Sequence, residues 1–465
     1  MSQSPTDVRR ILQISTRDRG GGAENCAWSL FERYRERGLE SWLAVGEKFS
    51  RDPNVWEIPQ ARYAANPWAR AWLGLGESLR PLRQRGARGI GFLQTRLRWL
   101  AQPAAWGKQL QGWEDFDYPG TWHLLSALPE LPDIIHCHNL HRNYFDLRAL
   151  PQLSKTRPLI LHLHDTWLLT GHCAYFFDCE RWQTGCGNCP YLDTYPPIRR
   201  DKSAENWERK QQIYANSHLY IVTVSQWLMD KVERSILGGV QKRVIYNGID
   251  LSLFKPASLR QAQAIAQKEA RHTLKLPLDA NIVLLIVHNP FKDYTTMEAA
   301  LSQIKGSPSK PLLFICLGRG GREKMVGDGR IIYPGWVASP EKMAQYYRAA
   351  DVYIHAALDE TFGKTITEAG ASGTPVVATA VGGIPEQIKE GRTGFLVPPE
   401  APQAMANAIQ TLLDDDELRA RMGQAAAAHV KQHFGLERQV DQCLAWYDEI
   451  LADWQTSLQI YVDST

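Results

Sequence analysis

The stretch from residue 351 to residue 397 constrains the fold more than any other part of the sequence. Residues 352–355 form a short apolar run that predicts a buried strand, and residues 364–370 have the composition and apolar spacing of a helix. Two more strands are predicted at 374–379 and 395–397, with glycine-rich turns between them. Strands that alternate with helices in this way predict a parallel sheet and therefore an α/β fold.

Two glutamates in this stretch are spaced to contact one elongated ligand. Glu360 precedes the predicted helix and Glu368 lies within it. At 1.5 Å of rise per residue, Gly363 and Glu368 are roughly 7–8 Å apart along the helix axis. The free amides of the first turn, around Phe362 to Thr365 and including those of Gly363 and Lys364, lie at the positive end of the helix, which favours a phosphate. Because carboxylates suit hydroxyls and amides suit phosphates, the pattern fits a nucleotide sugar.

The spacing of Glu360 and Glu368 resembles that of the family 4 retaining glycosyltransferases of GT-B fold. Phe-Gly follows the first glutamate, and a Gly-x-Pro-Val-Val-Ala strand follows the helix. By this resemblance, Glu360 faces the transferred sugar, Glu368 faces the ribose, and two Rossmann-like domains with parallel sheets face an interdomain cleft. The other interpretation is two solvated glutamates beside an ordinary helix start.

The length of the chain predicts two domains, because 465 residues exceed what one hydrophobic core usually supports. The first domain is predicted at 1–238, on the acceptor side, with a basic insertion at about 52–120. The second is predicted at 239–435 and binds the nucleotide sugar. Residues 436–465 are expected to form a helix that crosses back to the first domain, as GT-B chains commonly do.

Composition and hydropathy place the chain among ordinary globular proteins. Hydrophobic residues make up 44% and charged residues 22% of the sequence. No apolar run of about 18 residues and no signal peptide is visible, so we expect a cytoplasmic protein. The eight cysteines fit that compartment as thiols or metal ligands better than as disulfides.

A glycine-rich turn follows the first predicted strand. The strand spans 10–15, and Gly20, Gly21 and Gly22 open the next helix. Glycines at a helix start let backbone amides approach an anion, and the resemblance includes a similar Gly-Gly-x-Glu turn. Gly21 and Gly22 are therefore predicted to help bind the donor diphosphate, with an ordinary turn as the alternative.

Histidines end two predicted strands of the first domain. The strand at 158–164 delivers His164 at its carboxyl end, where ligands of open parallel sheets bind. By the resemblance His164 contacts the donor sugar, and we predict it as a catalytic residue beside Glu360; a core histidine is the alternative. His136 and His138 on the preceding strand are expected to line a pocket or bond to backbone, because no local carboxylate or cysteine completes a metal site.

Four closely spaced cysteines follow, at Cys173, Cys179, Cys186 and Cys189. Four thiolates this close match a structural zinc site that would hold together a loop too short to fold alone. Four reduced thiols are the other interpretation. A similar loop occurs in the bacterial branch of family 4 that includes colanic-acid and other exopolysaccharide transferases, and this chain resembles that branch most.

Lys292 is the predicted cation of the donor site. It follows a strand predicted at 281–287, and many family members carry Gly-Arg and then Lys-Gly at this point. Lys292 matches the lysine, while His288 and Asn289 stand where the arginine is expected. Arg319, after the next strand, is a candidate replacement if its loop faces the donor, because an arginine or lysine suits a phosphate.

A basic, tryptophan-rich segment covers residues 61–110. Nine arginines and lysines there stand against one acid, Glu77, and four tryptophans are interleaved with them. This mixture suits a surface that lies in the headgroups of an anionic membrane. The alternatives are a helical insertion with a solvated basic face and, less favoured, a nucleic-acid surface. A membrane contact would place the protein at the inner face of the plasma membrane.

These features predict a retaining glycosyltransferase that moves a sugar from a nucleotide-diphosphate donor to a hydroxyl of a glycan or lipid-linked glycan. The pathway implied by the resemblance is bacterial exopolysaccharide or cell-surface polysaccharide biosynthesis. No catalytic metal and no nucleic-acid partner are expected. The alternatives are a GT-B nucleotide-sugar epimerase or phosphorylase, and a non-catalytic nucleotide-sugar-binding protein.

Overall fold

The computed structural model describes residues 8–85, 87, 89–256, 260–287 and 291–463. The chain divides into two compact units. The first unit contains the chain up to Val224, Leu228–Ile245 and the chain from Val440 onward, and the second contains Ser225–Trp227 and Tyr246–Gln439. The division after Ile245 corrects the predicted boundary at residue 238, because the residues between them complete the sheet of the first unit.

Seven strands of the described chain form a fully parallel sheet in the first unit. They are β1 (Arg10–Arg17), β2 (Glu40–Glu47), β3 (Val55–Glu57), β4 (Ile134–His138), β5 (Leu159–Leu163), β6 (Leu219–Thr223) and β7 (Gln241–Val244), in the order β3-β2-β1-β4-β5-β6-β7. Every residue of the central strands β4, β5 and β6 is buried, as expected for a parallel sheet covered on both faces.

A second sheet of seven strands lies within the described part of the second unit. They are β8 (Asn281–Ile286), β9 (Leu312–Leu317), β10 (Lys324–Val326), β11 (Gly329–Gly335), β12 (Val352–His355), β13 (Val376–Thr379) and β14 (Gly394–Val397), in the order β10-β11-β9-β8-β12-β13-β14. This sheet is parallel except for the β10–β11 pair, an antiparallel hairpin at its edge that the sequence pattern did not predict.

Sixteen α-helices in the described ranges cover the sheets and build the insertion. They are α1 (Gly22–Glu36), α2 (Pro67–Ser78), α3 (Arg80–Gln84), α4 (Ile90–Ala101), α5 (Pro103–Leu110), α6 (Leu150–Thr156), α7 (Ser203–Ala215), α8 (Gln226–Glu233), α9 (Arg260–Thr273), α10 (Tyr294–Leu301), α11 (Pro340–Ala349), α12 (Lys364–Ala371), α13 (Ile384–Gln387), α14 (Pro402–Asp414), α15 (Asp416–His433) and α16 (Leu436–Asp463). No helix of the described chain combines the length and the apolar composition needed to cross a bilayer.

The last helix joins the first unit through buried hydroxyl groups. Tyr447 of α16 lies 2.9 Å from the hydroxyl of Tyr34 on α1, oxygen to oxygen, and its hydroxyl also contacts His136 Nδ1 on β4. Further along α16, Asp453 accepts a hydrogen bond of 3.1 Å from the Tyr220 hydroxyl on β6. These contacts connect the helix to the face of the sheet that carries the histidines.

A buried ion pair connects α9 to the second sheet. Arg271 and Asp351 lie 2.8 Å apart with side chains only 6% and 5% exposed. Arg271 also donates to three backbone carbonyl oxygens, and Asp351 accepts from the Ile282 amide at the start of β8. The pair therefore fixes the start of the strand after which Lys292 follows.

We expect Arg271→Met to lower the free energy of unfolding by about 3–5 kcal/mol, because it leaves the Asp351 carboxylate buried without its main cation. Arg330→Met is the control: Arg330 pairs with Glu323 at the surface, with both side chains at least half exposed. Its loss is expected to cost less than about 1 kcal/mol. Urea denaturation measures both; equal losses contradict the role assigned to Arg271.

Candidate functional site

Three titratable side chains meet at the carboxyl ends of two neighbouring strands in the second unit. Lys292 Nζ lies 2.5 Å from Glu360 Oε2 and 2.6 Å from His355 Nε2. His355 Nε2 lies 3.4 Å from the same carboxylate oxygen. We call Lys292, His355 and Glu360 the charged triad, after the ion pair that Lys292 forms with Glu360. Its place, beyond the carboxyl ends of parallel strands, is where open α/β sheets bind ligands.

Backbone pairing after the strands brings the charged triad together. His355 is the last residue of β12, which pairs with β8 in parallel. Beyond the strands, Lys292 and Ala357 form an isolated antiparallel bridge, and the Asp293 amide donates to the Ala356 carbonyl. The chain after β8 is thereby joined to the chain after β12, which places Lys292 beside Glu360.

Two hydroxyl groups hold the other side of the His355 ring. His355 Nδ1 lies 3.1 Å from the Tyr353 hydroxyl and 3.3 Å from Thr365 Oγ1. Tyr353 also donates to Thr365 Oγ1 at 2.8 Å. The side chains of Tyr353, His355 and Thr365 were not predicted to belong to a site. The available signal was the set of polar residues in and after the apolar strand β12.

The two predicted carboxylates lie in opposite electrostatic environments. Burial raises the pKa of Glu360, but the charge of Lys292 and the hydrogen bond from His355 outweigh burial and hold that pKa well below its ordinary value. Burial raises the pKa of Glu368 above its ordinary value, against the attraction of Lys364 and a 2.9 Å hydrogen bond from the Tyr347 hydroxyl. Glu360 is therefore an anion at neutral pH, and Glu368 holds a proton more readily than an exposed glutamate.

The start of α12 corrects part of the predicted phosphate site. The Gly363 amide donates to Gln387 Oε1 at 3.2 Å, and the Lys364 amide donates to the Phe362 carbonyl at 3.0 Å. These amides were expected to be unpaired. The Phe362 ring is buried and contacts Phe434, so the side chain belongs to the core. Lys364 remains partly exposed one turn before Glu368.

Arg319 is the candidate replacement for the arginine expected from the resemblance. His288 and Asn289 lie outside the described residues. The Arg319 guanidinium lies over the Tyr294 ring, 4.3 Å from its centroid. Arg319 is exposed. Lys292 is the cation that the structure brings to Glu360.

The turn formed by Gly382 and Gly383 shapes the loop that carries Glu360. Gly382 has φ +58°, and a Cβ there would lie 1.9 Å from the Glu360 carbonyl oxygen. The Gly383 amide donates to the same carbonyl at 2.9 Å. Glycine is therefore required at 382 both by its left-handed conformation and by the close backbone contact.

We expect Gly382→Ala to destabilise the protein more than Gly391→Ala. Gly391 has φ +67°, but a Cβ added there would meet no neighbouring atom within 4 Å, so it isolates the conformational cost. Both changes should cost roughly 1–2 kcal/mol for the left-handed backbone, and Gly382→Ala should add about 1–3 kcal/mol from the clash. Equal losses in urea unfolding contradict the packing described.

In the first unit His164 lies just beyond β5 and is partly exposed. Its Nε2 is 3.0 Å from His138 Nδ1. The neighbouring Asp165 accepts from His141 Nε2 at 2.8 Å; burial raises the Asp165 pKa, but His141 outweighs burial and lowers it. His164 thus lies at the strand end predicted for it, within a row of stacked imidazoles.

A carboxylate already lies at the predicted glycine turn. Gly21 and Gly22 are exposed, and Gly21 precedes the first residue of α1. A Cβ at Gly21 would lie 2.3 Å from Glu24 Oε2, so Glu24 folds back onto the helix start. Thr16 donates to Glu24 at 2.6 Å. Because Glu24 brings negative charge to this end of α1, the turn is less suited to a diphosphate than predicted.

The four loop cysteines surround one small cavity in the first unit. Cys173, Cys179, Cys186 and Cys189 line a space of about 20 Å³ together with His172, enough for one water or ion. His172 Nε2 lies 3.3 Å from Cys189 Sγ, and the Gly171 amide donates to Cys186 Sγ. In the described chain, however, the sulfurs of these cysteines do not form a group whose ligand atoms all lie within 4.8 Å of one another. Structural zinc here stays a prediction.

The basic insertion is less basic at its surface than its sequence indicates. Arg80 pairs with Glu57 at 2.7 Å, and Arg98 pairs with Asp115 at 2.6 Å. These acids lie outside the segment in which the charge excess was counted. Arg88 lies outside the described residues. Other cations of the segment remain exposed. The exposed cations include Arg62, Arg70, Arg85 and Arg96.

Large apolar side chains are also exposed on the insertion. They are Trp68, Leu75, Leu82, Phe92, Leu93 and Leu100, with exposed fractions from 43% to 64%. The insertion and the first sheet also line a cavity of about 500 Å³. Burial raises the pKa of Glu57 in its wall to about 7, against the attraction of Arg80. The insertion thus combines exposed apolar side chains with exposed arginines, and charged and polar side chains contribute to the wall of its cavity.

Two family models match the chain. Residues 20–253 match the model described as Glycosyltransferase Family 4, and residues 322–429 match the model described as Glycosyl transferases group 1. Glu360 and Glu368 lie within the second match. Lys292 lies between the two matches, so its assignment depends on the geometry of the charged triad.

Curated relatives and solved structures agree with these models. A D-inositol 3-phosphate glycosyltransferase of Corynebacterium efficiens is 33% identical over 256 residues, which cover 52% of this chain and 58% of that protein. One of Streptomyces avermitilis is 29% identical, over 58% of this chain and 61% of that protein. The chain thus matches about three fifths of the length of these relatives.

Two solved structures share the fold over nearly the whole chain. HepE of Anabaena, in complex with UDP-glucose, has a TM-score of 0.57 and 19% identity, over 97% of this chain and 100% of that one. Sucrose-phosphate synthase of Thermosynechococcus elongatus has a TM-score of 0.61 and 20% identity, over 96% and 100%. At this identity the likeness shows the fold, and the predicted α/β architecture of two Rossmann-like domains is confirmed.

Proposed function

Because the chain belongs to Glycosyltransferase Family 4, we propose that it is a retaining glycosyltransferase that uses a nucleotide-diphosphate sugar as donor. The family itself was predicted correctly from the sequence. The observation that carries the proposal is the charged triad, in which Glu360 is held as an anion beside Lys292 and His355. An ionised carboxylate suits sugar hydroxyls and the positive charge that develops on the sugar as its bond to phosphate breaks.

Each residue of the donor site has a proposed role that follows from its environment. Glu360 faces the transferred sugar, and Glu368 on α12 contacts the ribose hydroxyls. Lys292 balances the charge of Glu360 and turns toward the diphosphate as negative charge builds on it. A departing phosphate oxygen takes the acceptor proton, since no further base is assigned. His164 of the first unit contacts the donor sugar in this proposal.

The acceptor is proposed to be a glycan or lipid-linked glycan of bacterial exopolysaccharide or cell-surface polysaccharide biosynthesis. The cysteine-rich loop and the resemblance it carries favour this pathway. The relatives described above are named instead for D-inositol 3-phosphate, and each matches only part of this chain. We assign the acceptor to the cavity of about 500 Å³ under the insertion, because arginines and glutamates in its wall suit a polar, hydroxyl-bearing molecule.

We expect Glu360→Gln to lower the transfer rate by at least roughly 100-fold while changing nucleotide affinity by less than roughly tenfold. The substitution keeps the size of the side chain and removes the charge that the sugar meets. Turnover is followed by release of nucleoside diphosphate, affinity by calorimetry, and the anomeric configuration of the product by NMR.

The matched control for this experiment is Glu400→Gln, which changes an exposed glutamate in the same unit. It is expected to leave turnover unchanged. Unchanged turnover in Glu360→Gln contradicts the role of Glu360, and an inverted product contradicts the assignment as a retaining enzyme.

We further propose that the insertion binds the inner face of an anionic membrane. Exposed Trp68 and Phe92 lie among exposed arginines, a combination that suits the headgroup layer.

Replacing both Trp68 and Phe92 by alanine should lower pelleting with phosphatidylglycerol-containing vesicles at least roughly fivefold, because apolar area and charge attraction both contribute to binding. Trp336→Ala removes an equally exposed tryptophan from the second unit and should leave pelleting unchanged. Pelleting that ignores anionic lipid and salt contradicts the proposal.

A further inference from the structure

Four side chains that can bind metal meet inside the first unit. Cys26 lies on α1, His138 ends β4, His162 lies on β5 and His164 follows β5, and one ligand atom of each lies within 4.8 Å of the others. The first three residues are buried and His164 is partly exposed. In the described part of the chain this is the group of three or more histidine, cysteine or carboxylate side chains whose ligand atoms lie this close together.

A hydrogen-bonded chain of groups fixes the orientation of His162. His136 Nδ1 contacts the Tyr447 hydroxyl, and His136 Nε2 lies 3.1 Å from His162 Nδ1. When His162 donates its Nδ1–H to His136, its Nε2 carries a lone pair. That Nε2 atom is buried and has no hydrogen-bond partner. Buried polar atoms are nearly always paired, so this nitrogen points to a ligand that it would bind.

Gln13 orients the neighbouring ring in the same way. Gln13 Oε1 lies 3.1 Å from His138 Nε2 and can only accept, so His138 donates its Nε2–H and presents the Nδ1 lone pair. His138 Nδ1 lies 3.0 Å from His164 Nε2, which places two imidazole nitrogens side by side. A hydrogen bond from the second ring nitrogen to an oxygen is the usual support of a metal-binding histidine.

We propose that Cys26, His138, His162 and His164 bind a single Zn²⁺ ion. One thiolate and three imidazoles form a donor set that suits tetrahedral Zn²⁺. With Zn–N of about 2.0–2.1 Å and Zn–S of about 2.3 Å, tetrahedral ligand atoms lie roughly 3.4–3.6 Å apart. Ligand atoms within 4.8 Å of one another need to approach by at most about 1 Å, whereas His138 Nδ1 and His164 Nε2, 3.0 Å apart, need to separate by roughly 0.5 Å. Cys26 loses its thiol proton to the solvent as the Zn–S bond forms. In the metal-free protein His164 donates its Nε2–H to His138 Nδ1, so His164 changes to the tautomer with the proton on Nδ1 when its Nε2 binds the ion.

The site has a structural consequence that does not depend on the proposed transfer reaction. The ion joins α1 to β4 and β5, three elements that are distant in the sequence. It also fixes the ring of His164 at the end of β5. A ligand that binds only the folded state raises the melting temperature, so Zn²⁺ should stabilise the metal-free protein.

The test is a titration of the metal-free, full-length protein with Co²⁺, which occupies tetrahedral zinc sites and absorbs in the near ultraviolet when bound to a thiolate. We expect Cys26→Ser to bind one Co²⁺ fewer per chain than the unsubstituted protein and to lose the absorption of one thiolate. His162→Gln should weaken this Co²⁺ at least roughly tenfold. The rise in melting temperature on addition of Zn²⁺ should be larger for the unsubstituted protein than for Cys26→Ser or His162→Gln.

Two controls separate this site from other thiols. Cys137→Ser changes a buried thiol between His136 and His138 on β4 and should leave the titration unchanged. Cys179→Ser reports on the cysteine loop, and a loss of the absorption confined to this variant overturns the proposal. Near-ultraviolet circular dichroism identifies the variants that fold. Cys26 and His162 lie on different elements, so if only one of Cys26→Ser and His162→Gln folds, that variant alone tests the site. Folded Cys26→Ser and His162→Gln proteins that bind Co²⁺ as the unsubstituted chain does also overturn it.

Discussion

A carboxylate that is mostly withdrawn from water needs a positive charge beside it, and Lys292 supplies that charge to Glu360. With one partner removed, such a pair leaves an uncompensated buried charge, which typically costs about 3–5 kcal/mol. The surrounding structure serves this pair: β8 and β12 bring the two loops together, and the glycine turn at 382–383 lets the backbone close over Glu360. In the donor site that we propose, the same pair supplies an anion for the sugar and a nearby cation for the diphosphate.

The sequence predicted most of the second unit, because its signals are local. The buried strand β12, the helix α12 and the strand β13 each show their period within a few residues, and the structure has them within two residues of the predicted bounds. The division between the units was placed too early because β7 is a half-exposed edge strand without a clear apolar run. The short hairpin strand β10 was missed for the same reason.

The candidate site was predictable only where its residues carry a motif. Glu360 and Glu368 were found by their spacing, whereas His355 and Thr365 were not, since each looks like an ordinary member of its strand or helix. The partner of the Gly363 amide, Gln387, lies 24 residues away in the sequence. Cys26 is more than one hundred residues from the nearest histidine of its group, so a search for local metal motifs could not pair them. Contacts of this kind appear only once the fold is known.

The most direct test of the central claim is a calorimetric titration of the full-length protein with a panel of nucleoside-diphosphate sugars and their 2′,3′-dideoxyribose analogues. We expect one donor to bind. Loss of its ribose hydroxyls should lower the affinity of the unsubstituted protein, whereas in Glu368→Gln the donor and its dideoxy analogue should bind with nearly equal affinity. Absence of binding by every nucleotide sugar, or equal binding of donor and dideoxy analogue, would contradict the donor site proposed for the second unit.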